Sequence, residues 1–303
     1  MTSMEDMRVL SIQSHVVHGY VGNRCAVFPL QTLGLEVDVI NSVDFSNHTG
    51  YGLVKGRVLS DMELGELIQG LMANGVANYT HLLTGYVGCP RFLRRIVSVV
   101  GELRKLNPDL VYLCDPVLGD NGQLYVPESL LPIYIEEVIP LATIVTPNQY
   151  EAELLSGITI TTRADAIRVL DFFHEKGVSI VIISSTDLLS PDTLLLLASQ
   201  KNGEKKEQIE IAFPCLESSF TGTGDTFAAI FLAFYSSKGD FKLALELTVG
   251  CMQEILKRTL SYAKKLAGEG REPTKKELEL RLIQSRDDIL NPKGYPGTSI
   301  ILS

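Results

Sequence analysis

The sequence predicts an α/β fold, a mostly parallel central sheet with helices on both faces, and three observations carry that reading. Six apolar runs of strand character, at 8–13, 35–40, 80–84, 110–114, 142–146 and 178–184, alternate with stretches of helical periodicity. Helix punctuation falls between them: Ser60-Asp-Met-Glu63 is a capping box opening a helix to about Ala73, and Asn107-Pro108 stops one that runs from Arg91 to Leu106. No repeat, low-complexity stretch or linker divides the 303 residues, so a single domain over 1–303 is expected.

The later elements follow in order. Two strand-like runs, 193–198 and 208–213, flank the polar stretch 200–206 and read as an antiparallel hairpin near one edge of the sheet. Beyond it the chain reads as helical over 227–235, 242–266 and 274–284, the last behind a second box, Thr274-x-x-Glu277. The Lys and Arg residues between Lys257 and Arg286 are interleaved with acids, as on a solvated helix face.

Composition excludes several classes of function. The 27 Lys and Arg against 36 Asp and Glu give a net charge of −9, which argues against a broad surface for nucleic acid or anionic membrane. Cys25, Cys89, Cys114, Cys215 and Cys251 are scattered with no C-x-x-C spacing, so they read as reduced packing residues. Met1 to Met7 lacks an apolar signal core and no apolar run reaches membrane-spanning length, which makes the cytoplasm the expected location.

Chemistry is concentrated at Gly222-Thr-Gly-Asp225, which leads straight into the apolar run Phe227 to Phe234. Two glycines admit close approach of a ligand, and the free N–H groups of a helix start suit a phosphoryl group. Asp225 stands at the same end, where the helix dipole is expected to keep it ionised and lower its proton affinity. The plainer alternative is a loop-to-helix junction capped by Thr223 or Asp225.

Polar residues also follow the strands: Ser14, Asn41 to Asn47, Thr84-Gly85-Tyr86, Asp115, Asn148 and Ser184 to Asp187. Ligands of open α/β sheets bind beyond the carboxyl ends of the strands, so these residues are expected to line one crevice with the turn. Asp115, Asn148 and Glu151 offer hard oxygens for a magnesium nucleotide, directly or through water. His15 and His18 lack a matching third metal ligand.

Seven ordered motifs then carry a family resemblance. They are Ser11-Ile-Gln-Ser-His-Val-Val-His-Gly-Tyr-Val-Gly-Asn-Arg24, Asn41 to Tyr51, Leu83-Thr-Gly-Tyr86, Cys114-Asp-Pro-Val-Leu-Gly-Asp120, Tyr125-Val-Pro127, Thr146 to Leu155 and Gly222 to Asp225. Together the sequence resembles the pyridoxal kinase family of the ribokinase superfamily, over nearly the whole chain. The resemblance implies a ribokinase-like homodimer that moves the γ-phosphoryl group of ATP to the 5′-hydroxyl of pyridoxal, pyridoxine or pyridoxamine. It also implies Mg2+ or another divalent cation with the ATP, and a monovalent cation, usually K+ and otherwise Na+, as an assisting ion.

Residue by residue, the resemblance makes Asp225 the base and Gly222, Thr223 and Gly224 the support of the migrating phosphoryl group. Ser14 would bond the pyridine nitrogen and Thr49 the phenolic oxygen, with Val43, Phe45 and Tyr86 walling the ring. Asp115, Tyr125, Asn148, Glu151, Ser184, Ser185, Thr186 and Thr223 would face ATP, and Asp115, Asp120, Thr146 and Glu151 its metal ions. Ser184-Ser-Thr-Asp187 begins with Ser where the family pattern has Thr, which leaves Thr186 as a second candidate for that contact. A hydroxymethylpyrimidine or sugar kinase would share the turn but has no reason to carry Asn47-His-Thr-Gly-Tyr51. A silent binding protein has no need of Asp225.

Overall fold

Strand β1 (Arg8–Val16) is buried along nearly its whole length, as a central parallel strand must be, and the rest of the sheet assembles about it. The computed structural model describes Asp6 to Leu302. After β1 come α1 (Asn23–Thr32), β2 (Glu36–Phe45), β3 (Gly56–Val58), α2 (Asp61–Ala73), β4 (His81–Thr84), α3 (Pro90–Leu106) and β5 (Val111–Cys114). A hairpin, β6 (Gly119–Asp120) and β7 (Gln123–Leu124), precedes α4 (Leu131–Ile133), β8 (Ile144–Val145), α5 (Gln149–Ser156), α6 (Arg163–Glu175) and β9 (Ile180–Ser190). The chain closes with β10 (Thr193–Asn202), β11 (Lys205–Pro214), α7 (Thr223–Lys238), α8 (Phe241–Ala267), α9 (Arg286–Leu290) and β12 (Thr298–Leu302).

Ten strands form one sheet in the order β12-β11-β10-β9-β8-β5-β4-β1-β2-β3. The six strands from β2 through β1, β4, β5 and β8 to β9 pair in parallel, while both edges are antiparallel. The chain goes from β1 to β2 on one side and later to β4 on the other, so β1 and β4 flank a topological switch point. Alternation along the strands feeds two cores. Leu10 and Leu82 pack with α2, α3, α5 and α6, whereas Val9 and Leu83 pack with α1, α7, α8 and α9.

Four expectations change. The first, second and sixth strands are longer than predicted: β1 runs on through Ser14–Val16, β2 through Asn41–Phe45 and β9 through Ser184–Ser190, so most of the polar residues assigned to following loops lie inside strands. These extensions pair with neighbours and carry irregular register, which is how polar residues are accommodated there. The predicted helix at 274–284 does not form, although Thr274 N–H donates to Glu277 Oε2 at 2.8 Å as in a box. Leu278, Leu280 and Leu282 are all buried, at a period of two, and a helix would have thrown Leu280 off the face shared by its neighbours.

The segment beyond α9 lies across α8, where Tyr295 N–H donates to Glu246 O at 2.8 Å. Gly250 makes room for it, since a Cβ there would stand 1.9 Å from Lys293 O. Gly250→Ala is therefore expected to destabilise the protein by about 1–3 kcal/mol of overpacking, against roughly 1 kcal/mol gained in helix propensity. A lower denaturant midpoint at unchanged slope is the expected result; a raised midpoint would show that helix propensity wins.

Candidate active site

Helix α7 begins at Thr223, with Gly222 as its N-cap at φ 82°, and no side chain caps it. Capping by Thr223 or Asp225 is thereby ruled out, and the N–H groups of the first turn face outward from the turn. Only glycine fits at 222, because a Cβ would lie 2.3 Å from Tyr20 O and 2.6 Å from Cys25 Sγ. Thr226 ties the turn down by donating its hydroxyl to Gly222 O at 2.7 Å, and the nine residues Thr226 to Phe234 are all buried. A cradle for an anion is thus anchored on the most buried helix of the fold.

Asp225 keeps some accessible surface but is otherwise ringed by protein. Desolvation raises its carboxyl above the ordinary value, and a hydrogen bond from the Gly22 N–H opposes the rise only in part. The expected lowering by the helix dipole is therefore overturned: loss of solvation outweighs it. Gly22 (φ 52°) presses on Ser14, since its Cβ would fall 2.4 Å from Ser14 Oγ. Gly85, just past β4, would place a Cβ 3.4 Å from Asp225 Oδ1 and 2.6 Å from Gln13 Oε1. Ser14, Gly22, Gly85 and Asp225 thus meet at the switch point between β1 and β4.

A register shift between Gln13 and Ser14 re-aims Ser14, which is a strand residue and not the first residue of a loop. Beneath it Gln13, fully buried, belongs to a polar chain. Asn23 Nδ2 donates to Ile40 O and Asn41 Oδ1, so Asn23 Oδ1 accepts from Ser11 Oγ at 2.7 Å and Ser11 in turn accepts from Gln13 Nε2 at 2.9 Å. That order fixes the Gln13 amide and leaves its Oε1 buried without a donor, on the Asp225 side.

On the other flank Asp115 is buried, and its Oδ1 accepts from Thr146 Oγ1 at 3.0 Å. Its Oδ2 has no partner and lies toward the turn, 3.4 Å from where a Cβ on Gly224 would be. Burial, then the charges of Glu151 and Asp225, push the Asp115 carboxyl well up. Glu151 is pushed up to about 8 by burial, although its oxygens accept from Asn148 N, Leu118 N and Gly119 N. Asn148 caps α5 through Oδ1 and donates to Gly119 O at 2.8 Å. An acid whose folded pKa is raised keeps its proton where the unfolded chain has lost it, so its contribution to stability falls as pH rises from about 4. Without nucleotide, Asp115→Asn is accordingly expected to melt above the parent by a margin that widens from pH 5 to pH 8. A constant or shrinking margin would show that Asp115 is not held against its charge.

The remaining predicted residues are dispersed. Val43, Phe45 and Tyr86 line one cavity of about 140 Å³ with Ser42, Val58 and Phe92. Thr49 is exposed on the loop after β2. Asp120 is exposed and its carboxylate is engaged by Asn121, in a two-residue Asn121-Gly122 hairpin that its φ values of 48° and 75° make possible. Tyr125 is 56% exposed. Ser184 and Ser185 sit at an irregularity between β9 and β10, whereas Thr186 is buried and donates to Leu195 O at 3.0 Å, so its hydroxyl is committed within the sheet. Among the described residues no group of three or more His, Cys, Asp and Glu side chains is arranged to hold a metal ion.

Comparison with known proteins agrees with this geometry. The family model for phosphomethylpyrimidine kinase matches residues 92–270. Pyridoxal kinase of Homo sapiens is 49% identical over 95% of this chain and 97% of its own length, and that of Arabidopsis thaliana is 50% identical over 94% and 92%. The structure of pyridoxal kinase from Leishmania donovani in complex with ADP and pyridoxine superposes with a TM-score of 0.90 at 36% identity, covering 98% of this chain and 100% of that one. Fold and turn together place this chain among the ribokinase-like small-molecule kinases. Within that class it belongs to the pyridoxal kinase family.

Proposed function

We infer that this chain transfers the γ-phosphoryl group of ATP to the 5′-hydroxyl of pyridoxal, pyridoxine or pyridoxamine, salvaging each vitamer as its own 5′-phosphate, which is pyridoxal 5′-phosphate when the acceptor is pyridoxal. The observation that carries this reading is Asp225, half-buried beside an uncapped glycine turn and facing the switch point where Ser14 and Gly85 converge. Asp225 takes the hydroxyl proton as the phosphoryl group moves, while the N–H groups of the Gly222 to Gly224 turn meet its developing charge. Because the transition state is loose, the proton leaves late and a carboxylate suffices; burial that raises its proton affinity helps.

Ser14 bonds the ring nitrogen, Thr49 covers the phenolic oxygen, and Val43, Phe45 and Tyr86 wall the ring. Asp115, Tyr125, Asn148, Glu151, Ser184, Ser185 and Thr223 face the nucleotide. The unpartnered Asp115 Oδ2 fits a divalent cation such as Mg2+, which supplies charge neutralisation for the phosphates when bound. Thr146 orients Asp115, and Glu151, whose oxygens are taken by backbone donors, would support such a cation only indirectly, as would the exposed Asp120. Among the described residues no helix is long and apolar enough to cross a membrane. A single kinase domain over 1–303, a homodimer, K+ or Na+ as an accessory ion and a cytoplasmic setting complete the reading, supported by the family likeness.

An ATP-consumption assay with pyridoxal, pyridoxine, pyridoxamine and hydroxymethylpyrimidine side by side tests it. Turnover with at least one B6 vitamer is expected; turnover of hydroxymethylpyrimidine alone would overturn it.

A further inference from the structure

Glu279 plays no part in the chemistry above, yet it receives three donors from two distant loops. Its Oε2 accepts from Tyr20 N at 2.9 Å, and its Oε1 accepts from Tyr51 Oη at 2.8 Å and lies 3.2 Å from His48 Nε2. The tautomer of His48 follows from its other nitrogen: Nδ1 accepts the Gly50 N–H at 3.1 Å, so the ring proton is on Nε2 and donates to the carboxylate. Both groups are enclosed, with side-chain exposures of 6% for His48 and 13% for Glu279. Burial alone would raise the Glu279 carboxyl; the donors outweigh it and hold it below the ordinary value. Gly19 exists in this form for the same reason, since at φ 93° a Cβ would stand 2.5 Å from Glu279 Oε1.

What the two loops carry gives the contact its meaning. Tyr20 is in the loop whose carbonyl abuts Gly222 and whose Gly22 N–H reaches Asp225. His48, Gly50 and Tyr51 surround Thr49, with the His48 and Tyr51 rings edge to face at 4.7 Å. We propose that Glu279 is a positioning residue: its carboxylate ties the Gly19 to Gly22 loop beside the base to the His48 to Tyr51 loop that brings Thr49 over the vitamer. The assignment rests on the proposed function for Thr49 and Asp225. A carboxylate is required because all three partners are donors. An amide has one acceptor oxygen and would turn its NH2 on a donor.

The test is steady-state kinetics of Glu279→Gln, Tyr51→Phe and the double variant, varying pyridoxal and ATP separately. Charge-assisted hydrogen bonds of this kind predict a pyridoxal KM raised about 10-fold or more in Glu279→Gln and about 3-fold in Tyr51→Phe. The KM for ATP should stay within about 2-fold of the parent, and the double variant should be no worse than Glu279→Gln, because both changes cut the same tie. Pyridoxal KM values unchanged in both single variants, or pyridoxal and ATP KM rising together, would overturn the proposal. Should Glu279→Gln not fold, Tyr51→Phe decides alone by the same split. If the parent turns over no B6 vitamer, the functional reading fails instead, and hydrogen exchange of the amides at 46–53 then judges the tie. Faster exchange in Tyr51→Phe supports it and unchanged exchange overturns it.

Discussion

Asp225→Asn is expected to lower kcat by roughly 10²-fold or more, the usual range for removing a general base, with vitamer affinity little changed. Asparagine keeps the size and a hydrogen-bonding oxygen, so it can still accept from Gly22 N–H, but it cannot take the hydroxyl proton. Ser14→Ala is the comparison that separates base from binding group. It removes a neutral hydrogen bond remote from the migrating phosphoryl group, so its loss should appear in KM, at about 0.5–1.5 kcal/mol. Vitamer affinity can be read from the ligand's own absorbance beside steady-state rates at saturating ATP. Near-parent kcat in Asp225→Asn would remove the role assigned to it.

Gly222→Ala should be at least as damaging, for a different reason. The new methyl would stand 2.3 Å from Tyr20 O, a backbone atom that cannot swing away as a side-chain end can, and φ 82° is strained for any L residue. Either α7 shifts its first turn or the Tyr20 loop moves off, and both open the cradle at the atoms where charge develops. Loss of one preorganised donor costs about 10²- to 10³-fold in kcat, and that is the expected drop, with the pyridoxal KM rising less. The strain at 222 should lower the melting temperature, but α7, buried over Thr226 to Phe234, should keep the fold at assay temperature, so a cooperative melting curve shifted downward with collapsed kcat is the signature. Retained activity would mean that the turn carries no phosphoryl group.

The strands and helices that position the site were legible wherever one physical signal acted alone. The apolar runs of β1, β4 and β5 stand out because a central parallel strand needs apolar residues on both faces, and the α2 box was unmistakable since nothing competed with it. Where two signals conflict, the sequence pattern is ambiguous. The Thr274 box suggested a helix, but Leu278, Leu280 and Leu282 alternate with Glu279 and Arg281; that period of two, visible in the sequence, was the stronger cue and also pointed to Glu279.

Within the site, the Gly222 to Asp225 turn and the Asp115 side could be read from residue types. The place of Ser14 could not, because it depends on a register shift against β2. Thr186 was a reasonable candidate by type, and only the pairing of β9 with β10 shows its hydroxyl turned onto Leu195 O. Gln13 does carry a signal in the sequence, a long polar residue two places from Ser11 inside an apolar strand, which implies a buried partner network.

The role proposed for the Gly222 to Asp225 turn is to direct phosphoryl transfer to the 5′-hydroxyl of a B6 vitamer. Product analysis of parent and Asp225→Asn protein incubated with pyridoxal and ATP, quantifying ADP and the phosphorylated vitamer together, tests it most directly. Pyridoxal 5′-phosphate formed one-to-one with ADP by the parent, and about two orders of magnitude more slowly by the variant, is the predicted result. ADP released without phosphorylated pyridoxal, or a variant that makes it at the parent's rate, would contradict it.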